Sequence, residues 1–423
     1  MKKYVIFTHV IRGTEIGGSL IYTRNKVNDV KDRGHVPYVY SRMGDRDDVI
    51  VYPELLPFRD HLIYELAYAP SLFSRQRVRR ILDRFLTEID YQVGDDVIIE
   101  SHDITEALWA ELLAQETSGQ NFVYLINEYT ADTRLKSRER DFIGWKLSHR
   151  QLAVLSPVTY DYLLPGHRVP DYQRYLLKAP DSNVVADTSQ PTPVDDLPLA
   201  DYHVASIGRL EKPYVAEMLT AVIEFCERYK KKQVHLTLIG DTADETVKNR
   251  LIDRCAAVPN LELLITGYLL PIPRRFFRQV DVFISSAGST LVSHHEGIPT
   301  LVMSPESQAL GLMGWTTDQI LFGKPSPVGI TDWLDRILVG GYCHTHRPLF
   351  KISKPDFARQ FDEHERFVQK MMKGHYFPAR TFNADPRWKT ELNWLGVRLL
   401  GPRRYGHMRE NIVQHVRAAE TQA

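Results

Sequence analysis

Short runs of β-branched and aromatic residues alternate with longer helical patterns along most of this chain, and this alternation limits the fold more than any other feature. In the first half the runs are YVIFTHV, HVPYVYS, DDVIIESH and NFVYLINEY, with a helical pattern from Gly18 to Arg33. Apolar runs bounded by polar turns are typical of parallel strands that helices cover on both faces. The first half therefore predicts a doubly wound α/β domain.

A second series of strands follows, with the runs YHVASIG, VHLTLIG, LELLITG and VDVFISS. Three of these runs end in glycine, at Gly208, Gly240 and Gly267. In open parallel sheets, ligands bind at the carboxyl ends of the strands. The second series therefore predicts another α/β domain, built to hold a ligand at this edge.

The length of 423 residues favours two such domains over one ordinary core. We expect a first domain over 1–180, a linker over 181–200 with no sustained periodicity, and a second domain over 201–340. Residues 341–423 change to charged helical patterns. This extension is predicted to pack on the second domain.

Composition excludes several classes of protein. The chain is 43% hydrophobic and 25% charged, which is ordinary for a folded domain. Lys+Arg and Asp+Glu both number 53, so the global positive field expected of a nucleic-acid-binding protein is missing. Three separated cysteines favour a reducing compartment such as the cytoplasm. The first apolar run is interrupted at Arg12 and predicts a strand, not a signal peptide, and no run is long enough to cross a bilayer.

The stretch SSAGSTLVSHHEGIP, from Ser285 to Pro299, carries the strongest chemical signal. A buried strand runs into small residues from Ser286 onwards, and the amides of Gly288, Ser289 and Thr290 are expected to open a helix. A helix N-terminus offers unpaired N–H groups and a partial positive charge to a diphosphate. An ordinary helix cap is the alternative interpretation, because serine and threonine are common caps.

Strand, small-residue turn, helix, Gly-x-Pro and strand together resemble the donor-binding element of GT-B glycosyltransferases. Over most of its length the chain resembles glycosyltransferase family 4, and its A-G-S-T turn is similar to that of the N-acetylglucosamine transferases of peptidoglycan synthesis. The resemblance implies two Rossmann-like domains facing a central cleft. It also implies transfer of a hexosyl unit, with retention, from a UDP- or GDP-linked sugar to a glycan, lipid-linked or protein acceptor. Neither a further cofactor nor a metal is expected.

In the first domain, Gly17 and Gly18 resemble the family's glycine loop, and Arg33-Gly34-His35-Val36 resembles its G-H-x-V turn. Glycines allow the backbone to approach a sugar phosphate closely, although a turn without a ligand uses them equally well. The resemblance also implies that His102, at a strand end, faces the sugar or its acceptor. Glu128 follows the next strand and is a candidate on the acceptor side, or a helix cap.

In the second domain, Gly208-Arg209-Leu210 and Lys212 resemble the family's G-R-L turn and its lysine, although the lysine comes two residues early. Two cations there would neutralise the diphosphate as negative charge develops on it. The resemblance further implies that Gly240 borders the phosphates and that Gly267-Tyr268 borders the base.

The signature itself departs from the family, which has two glutamates separated by seven residues. The first is missing here, and Glu296 is the candidate for the second, either binding ribose or lying on the surface at a helix end. Two other interpretations therefore stay open. The chain is also compatible with a non-catalytic GT-B subunit, or with a UDP-sugar 2-epimerase of the same fold, although the extra carboxylates of the epimerases are not visible.

Two further features of the sequence concern metal binding and membrane contact. The cluster Cys343-His344-Thr345-His346 has no second pair at zinc-site spacing and predicts no metal site. Residues 71–90 contain five arginines interleaved with apolar residues, at positions 75, 77, 79, 80 and 84. On a helix this pattern is compatible with peripheral contact at the inner face of the membrane, or with a solvated helix surface.

Overall fold

The apolar, β-branched runs of the sequence form strands in the computed structural model. The structure describes residues 1–12, 17–44, 48–126, 135–165, 172–181, 183–242, 244–385 and 387–422, and in the last range the side chains of 388–409. The chain divides into two compact units. The first comprises Met1–Gly13, Thr23–Pro180 and Phe357–Ala423, and the second comprises Thr14–Tyr22 and Asp181–Asp356.

The first unit is built on a parallel sheet with the strand order β2-β1-β3-β4-β5. Its strands are β1 (Lys3–Thr8), β2 (Val36–Ser41), β3 (Val97–Ser101), β4 (Gln120–Leu125) and β5 (Leu152–Val154). The helices that connect these strands are α1 (Gly18–Asp32), α2 (Arg75–Glu88), α3 (Ile104–Thr117) and α4 (Ser137–Ser148), and α5 (Pro157–Leu163) follows β5. Short 3-10 helices occupy Pro53–Phe58, Tyr64–Ala67, Pro70–Leu72 and Tyr172–Tyr175.

The second unit contains a six-stranded sheet and a two-stranded sheet. Its strands are β6 (Val185–Ala186), β7 (Tyr202–Ile207), β8 (Val234–Ile239), β9 (Leu261–Ile265), β10 (Ile272–Pro273), β11 (Val282–Ser285), β12 (Thr300–Met303) and β13 (Ala309–Leu312). The large sheet has the order β13-β12-β11-β7-β8-β9 and is parallel except for β13, while β6 pairs with β10. Both large sheets thus have the parallel, helix-connected pattern that the sequence predicts.

The helices of the second unit are α6 (Pro213–Arg228), α7 (Glu245–Ala256), α8 (Arg274–Phe277), α9 (Gly288–His295), α10 (Ile330–Leu334), extended by a π turn over Asp335–Val339, and α11 (Tyr342–Thr345). Local chemistry sets several helix starts. The Asp244 carboxylate accepts a hydrogen bond from the Thr246 amide at 2.9 Å and caps α7. A proline at the first position begins α6.

The C-terminal helices α12 (Phe357–Lys370) and α13 (Arg387–Gln422) belong to the first unit. The expectation that they pack on the second domain was wrong. Phe367 packs on Phe122 of β4 with ring centroids 5.6 Å apart, and Lys2 donates to Glu365 at 2.6 Å. The charged helical pattern predicts helices but does not say which apolar surface they cover.

A buried ion pair between Lys146 and Glu111 joins α4 to α3. Lys146 also donates to Gln151 at 3.0 Å, and Glu111 accepts the backbone N–H of Phe377 at 3.0 Å. Both charged side chains are fully buried. The pair therefore fixes the segment after α12, which includes a 3-10 turn at Ala379–Thr381, to the first unit.

The segment expected to act as a linker is packed on the second unit. Val194 is fully buried, and Arg275 donates to Asp195 at 2.7 Å. The hydrogen bond from Arg275 lowers the pKa of Asp195 to about 2. The lack of sustained periodicity predicted the irregular backbone here, but it did not reveal these contacts.

Candidate functional site

The carboxyl ends of β7, β8 and β9 lie side by side at one edge of the large sheet in the second unit. β7 and β8 end in register at Ile207 and Ile239, and β9 lies beside β8. The residues that follow these strands include the three predicted glycines, Gly208, Gly240 and Gly267. The structure therefore brings these three predicted donor-site residues together.

Gly240 has a packing role of its own. Its φ is 152°, and a Cβ built on it would lie 1.9 Å from the carbonyl oxygen of Gly208. Gly240 also forms an isolated bridge with Gly267. Glycine is required here because the backbones of adjacent strand ends approach each other too closely for a side chain.

Arg209 and Lys212 lie in the turn between β7 and α6. The Arg209 guanidinium is 3.2 Å from the Glu211 carboxylate, and both side chains are partly exposed. Lys212 is the residue before α6, and its amide donates to the Arg209 carbonyl at 3.3 Å. An exposed ion pair contributes little stability, so Arg209 can exchange Glu211 for another anion at low cost.

Tyr268 lies at the end of β9 beside the turn that follows β8. Its hydroxyl donates to the backbone carbonyl of Asp241 at 3.3 Å. The Asp241 carboxylate is 3.3 Å from the Lys248 ammonium and accepts the Thr242 amide at 2.9 Å. The two turns are therefore linked by hydrogen bonds at the same edge of the sheet.

The turn between β11 and α9 holds a strained residue. Ala287 has φ 57° and ψ −140°, a backbone conformation that L-residues rarely adopt and that costs about 1–3 kcal/mol. Its amide donates to Ile320 at 2.7 Å, and its carbonyl accepts the Thr290 hydroxyl at 2.6 Å. Ser286 and Thr290 are buried, whereas Ser289 is half-buried. The Thr290 hydroxyl proton is thus used inside the turn, a contact that the sequence did not reveal.

The carboxylate of Asp181 lies against two of the predicted glycines. A Cβ built on Gly288 would be 2.9 Å from one Asp181 oxygen, and a Cβ built on Gly18 would be 3.0 Å from the other. Gly288 and Gly18 are the first residues of α9 and α1, where the helix dipole favours a negative charge. The carbonyl of Gly17 accepts the amides of Leu20 and Ile21 at 3.1 and 3.2 Å.

Glu296 is engaged in an ion pair at the other end of α9. Arg274 donates to its carboxylate at 2.6 Å, and the Glu296 side chain is only 12% exposed. Glu296 directly follows the eight-residue helix, which places it about 12 Å along the helix axis from Gly288. These contacts fit a residue that fixes the end of α9, and its role towards ribose stays a prediction.

His102 lies at the end of β3 in the first unit and is 2% exposed. Its Nε2 is 2.9 Å from Glu100 and its Nδ1 is 3.0 Å from the Thr8 hydroxyl. Burial opposes ionisation of Glu100, but the hydrogen bond and charge of His102 outweigh it and lower the Glu100 pKa to about 2. Next to the Glu100 carboxylate Nε2 acts as the donor, and Nδ1 shares a hydrogen bond with the Thr8 hydroxyl. Any contact with a substrate requires exchange of one of these bonds.

A polar cluster that the sequence did not indicate lies at the same strand ends. The Arg42 Nε is 3.1 Å from the buried Glu106 carboxylate and 3.1 Å from Nδ1 of His9. Arg42 also lies 3.4 Å from Asp103, the residue that caps α3. Burial raises the pKa of Glu106 to about 7, against the opposing charge of Arg42. The only sequence signal was that Arg42 and Asp103 each follow a predicted strand and that His9 lies near the end of another.

Three further predictions concern the rest of the chain. Glu128 lies outside the described residues. Among the residues that the structure describes, no three His, Cys, Asp or Glu side chains form a group suited to a metal ion, and no helix there is both long and apolar enough to cross a bilayer. In α2, three of the predicted cations are paired with carboxylates, Arg77 with Glu65, Arg79 with Glu116 and Arg84 with Glu88.

Comparisons with known proteins give a fold but no family. No family model matches the chain, and no curated protein matches it in sequence. A glycosyltransferase from Rickettsia africae matches with 12% identity and a TM-score of 0.55, covering 88% of this chain and 94% of that one. HepE from Anabaena, in complex with UDP-glucose, matches with 12% identity and a TM-score of 0.51, covering 88% and 96%.

A third similar structure belongs to a protein with a different proposed activity. A Listeria monocytogenes protein, assigned a proposed UDP-N-acetylglucosamine 2-epimerase activity, matches with 12% identity and a TM-score of 0.50, covering 89% of this chain and 99% of that one. At such identities the likeness shows the fold alone. The predicted α/β architecture of the GT-B class, with two Rossmann-like domains and C-terminal helices, is confirmed, while membership of family 4 stays a prediction.

Proposed function

We propose that this protein is a glycosyltransferase that transfers a hexosyl unit from a nucleoside diphosphate sugar to an acceptor hydroxyl. The observation that carries the proposal is the strained turn at Ala287, which leads into α9 at the carboxyl edge of the sheet. Strain in a short turn persists where surrounding structure over-determines it, and such sites cluster where ligands bind. HepE, which has a similar fold, was solved with UDP-glucose, and this supports a UDP-linked donor.

The diphosphate is proposed to bind at the start of α9 and beside the β7–α6 turn. The amides of Gly288 and Ser289 open the helix and favour an anion. The Thr290 amide, predicted as a third donor, instead donates to the Ala287 carbonyl at 3.1 Å. Arg209 and Lys212 would neutralise the charge that develops on the leaving nucleotide. Because these groups supply the positive charge, the proposed site needs neither a metal nor a further cofactor. Tyr268 and Gly267 would border the base.

The acceptor is proposed to bind in the first unit, at the carboxyl ends of β1, β2 and β3. His102 lies there, and the side chains of His9, Arg42 and Asp103 follow the three strands. These groups offer hydrogen-bond donors and acceptors suited to the hydroxyls of a glycan or a lipid-linked sugar. Transfer with retention follows from the resemblance to family 4, and NMR of the anomeric proton in freshly formed product tests it.

Nucleotide binding is the direct test. We expect UDP or GDP to bind and raise the melting temperature, and Arg209→Ala to weaken that binding about tenfold or more, because a hydrogen bond to a charged group contributes about 1.5–3 kcal/mol. Arg250→Ala is the matched control, since Arg250 is an exposed arginine on α7. If neither nucleotide binds by calorimetry, or if both variants bind like the wild type, the donor site is wrong.

Asp181 allows a sharper test of where the phosphates bind. A diphosphate at the start of α9 would meet the Asp181 carboxylate, which lies against Gly288. We therefore expect Asp181→Asn to tighten binding of UDP several-fold, because one like charge is removed. Uridine has no phosphate and serves as the control ligand, whose affinity should not change. Equal effects on both ligands would place the diphosphate elsewhere.

The epimerase alternative is distinguished by products. An epimerase converts a UDP-sugar without any acceptor, whereas a transferase releases UDP in step with glycosylated product. Incubation with UDP-sugars, with and without lipid-linked and free sugar acceptors, separates the two. Nucleotide binding without either reaction would support the non-catalytic subunit instead.

A further inference from the structure

The first half of α13 presents an unusual row of exposed apolar side chains. Trp388 is 59% exposed, Leu392 56%, Leu395 44% and Leu399 71%. Their spacing of four, three and four residues places them within an arc of about 60° on one helix face. We call these four residues the apolar stripe.

The opposite face of this helix is anchored to the first unit, so the apolar stripe is not a product of a loosely attached helix. Val397 is 3% exposed and belongs to the core of the first unit. The Tyr405 ring packs against Gly396, where an added Cβ would lie 2.3 Å from a ring carbon, and the Tyr405 hydroxyl donates to Asn393 at 2.8 Å. The helix therefore has a fixed inner face and a fixed outer face.

A break in α13 defines where the stripe ends. Gly401 has φ 77° and ψ 160°, which interrupts the helix, and Pro402 follows without an N–H to donate. The Tyr68 hydroxyl donates to the Pro402 carbonyl at 3.0 Å and holds the break against the first unit. The stripe is thus confined to the helical segment before Gly401.

Basic residues outnumber acidic ones within the stripe and in the segment that follows it. Between Trp388 and Arg409 the chain has one acidic residue, Glu391, and five basic residues, Lys389, Arg398, Arg403, Arg404 and Arg409. The whole chain is balanced, with 53 residues of each sign. Trp394 and Leu400 are also 40% and 42% exposed and widen the apolar surface.

We propose that the apolar stripe docks this protein on the surface of an anionic lipid bilayer. A helix that lies in the interface buries leucine and tryptophan among the lipids and directs lysine and arginine to the anionic headgroups. Charge favours this occupant over a second copy of the chain. Lys389 and Arg398 lie in the same helical segment as the stripe, and three more cations follow it, so two copies would bring like charges together. The proposal is independent of the proposed donor site.

The arginine-rich helix α2 is a weaker candidate for the same role. Three of its arginines are paired with carboxylates, as described above, and its apolar residues Val78, Ile81, Leu82 and Phe85 are buried in the core. It therefore offers no exposed apolar row. The arginines and apolar residues of α2, whose pattern indicated membrane contact, instead make contacts within the first unit.

Sedimentation of the full-length protein with lipid vesicles tests the proposal. We expect it to pellet with vesicles of phosphatidylcholine and phosphatidylglycerol, and to stay in the supernatant with phosphatidylcholine alone. The triple variant Leu392→Gln, Leu395→Gln and Leu399→Gln should bind at least about tenfold more weakly, because three apolar side chains no longer enter the lipid. The control variant carries Val93→Gln, Leu199→Gln and Leu349→Gln, three exposed apolar residues outside the stripe, and should bind like the wild type.

Charge and oligomeric state complete the test. The double variant Arg398→Gln and Arg404→Gln should weaken vesicle binding about fivefold for each cation removed. High salt should also weaken vesicle binding, because it screens the attraction to the headgroups. The proposal is overturned if the wild-type protein does not bind anionic vesicles, or if the triple variant binds them as well as the wild type does. A wild-type dimer that the triple variant dissociates, with no vesicle binding by either, would instead make the stripe an interface between copies. Unchanged nucleotide affinity in the triple variant would show that the donor site is intact.

Discussion

Replacement of Gly240 by alanine is expected to destabilise the second unit strongly, because two costs add at this position. The new Cβ would lie 1.9 Å from the Gly208 carbonyl oxygen, so the ends of β7 and β8 must separate, at about 1–3 kcal/mol for overpacking. The φ of 152° adds about 1–3 kcal/mol of backbone strain for any L-residue. The sum of about 2–6 kcal/mol corresponds to a fall in melting temperature of about 5–20 °C.

Two other glycines of the second unit separate these costs. Gly267 has φ 67° and nothing nearer to its Cβ position than Asp241 at 3.8 Å, so Gly267→Ala should cost only the strain, about 1–2 kcal/mol. Gly329 has φ −70° and open space, so Gly329→Ala should cost less than about 1 kcal/mol. Urea unfolding of the three variants measures the series. Equal losses for Gly240→Ala and Gly267→Ala would refute the argument that close backbone approach requires the glycine.

Three further predictions concern stability. Lys146→Met leaves the buried Glu111 carboxylate without its cation, so the free energy of unfolding measured in urea should fall by about 3–5 kcal/mol. If the pairing is correct, the double variant with Glu111→Gln should recover part of this loss. Burial lowers the pKa of His203 to about 4 and also lowers the pKa of His235. The free energy of unfolding should therefore be full above about pH 6.5 and fall by up to about 3 kcal/mol towards pH 4. Glutamine at both positions should reduce this pH dependence. Ala287→Gly should stabilise the protein by about 1 kcal/mol in thermal unfolding because the strain is relieved, and a loss of stability would contradict this account of the turn.

Local sequence patterns predicted the parallel sheets and the turn before α9 because those features depend on nearby residues. Apolar runs have the right length and composition for buried strands, and small residues after β11 indicated where α9 begins. Gly208, Gly240 and Gly267 were predicted at strand ends and lie there. Strand content and the position of glycines at strand ends are short-range properties that one sequence can show.

Contacts between distant residues were beyond these patterns. Nothing near Gly18 or Gly288 in the sequence indicates that Asp181 lies against both, and nothing near Glu296 indicates its pairing with Arg274. Ala287 is the strained residue of its turn, although glycine would be the expected choice for its positive φ. Such features depend on which distant segments the tertiary fold brings together. A periodic pattern carries no information about those contacts.

The division of the first unit between both ends of the chain has a consequence for synthesis. Its core includes Val397 and Tyr405, so translation must pass Tyr405 before this core can close. The second unit needs nothing beyond Asp356 and can fold while the rest is still being translated. Domains usually fold in order from the N-terminus during translation. Here the second unit is complete first, and the first unit waits for α13 while its sheet is exposed to factors that bind nascent chains.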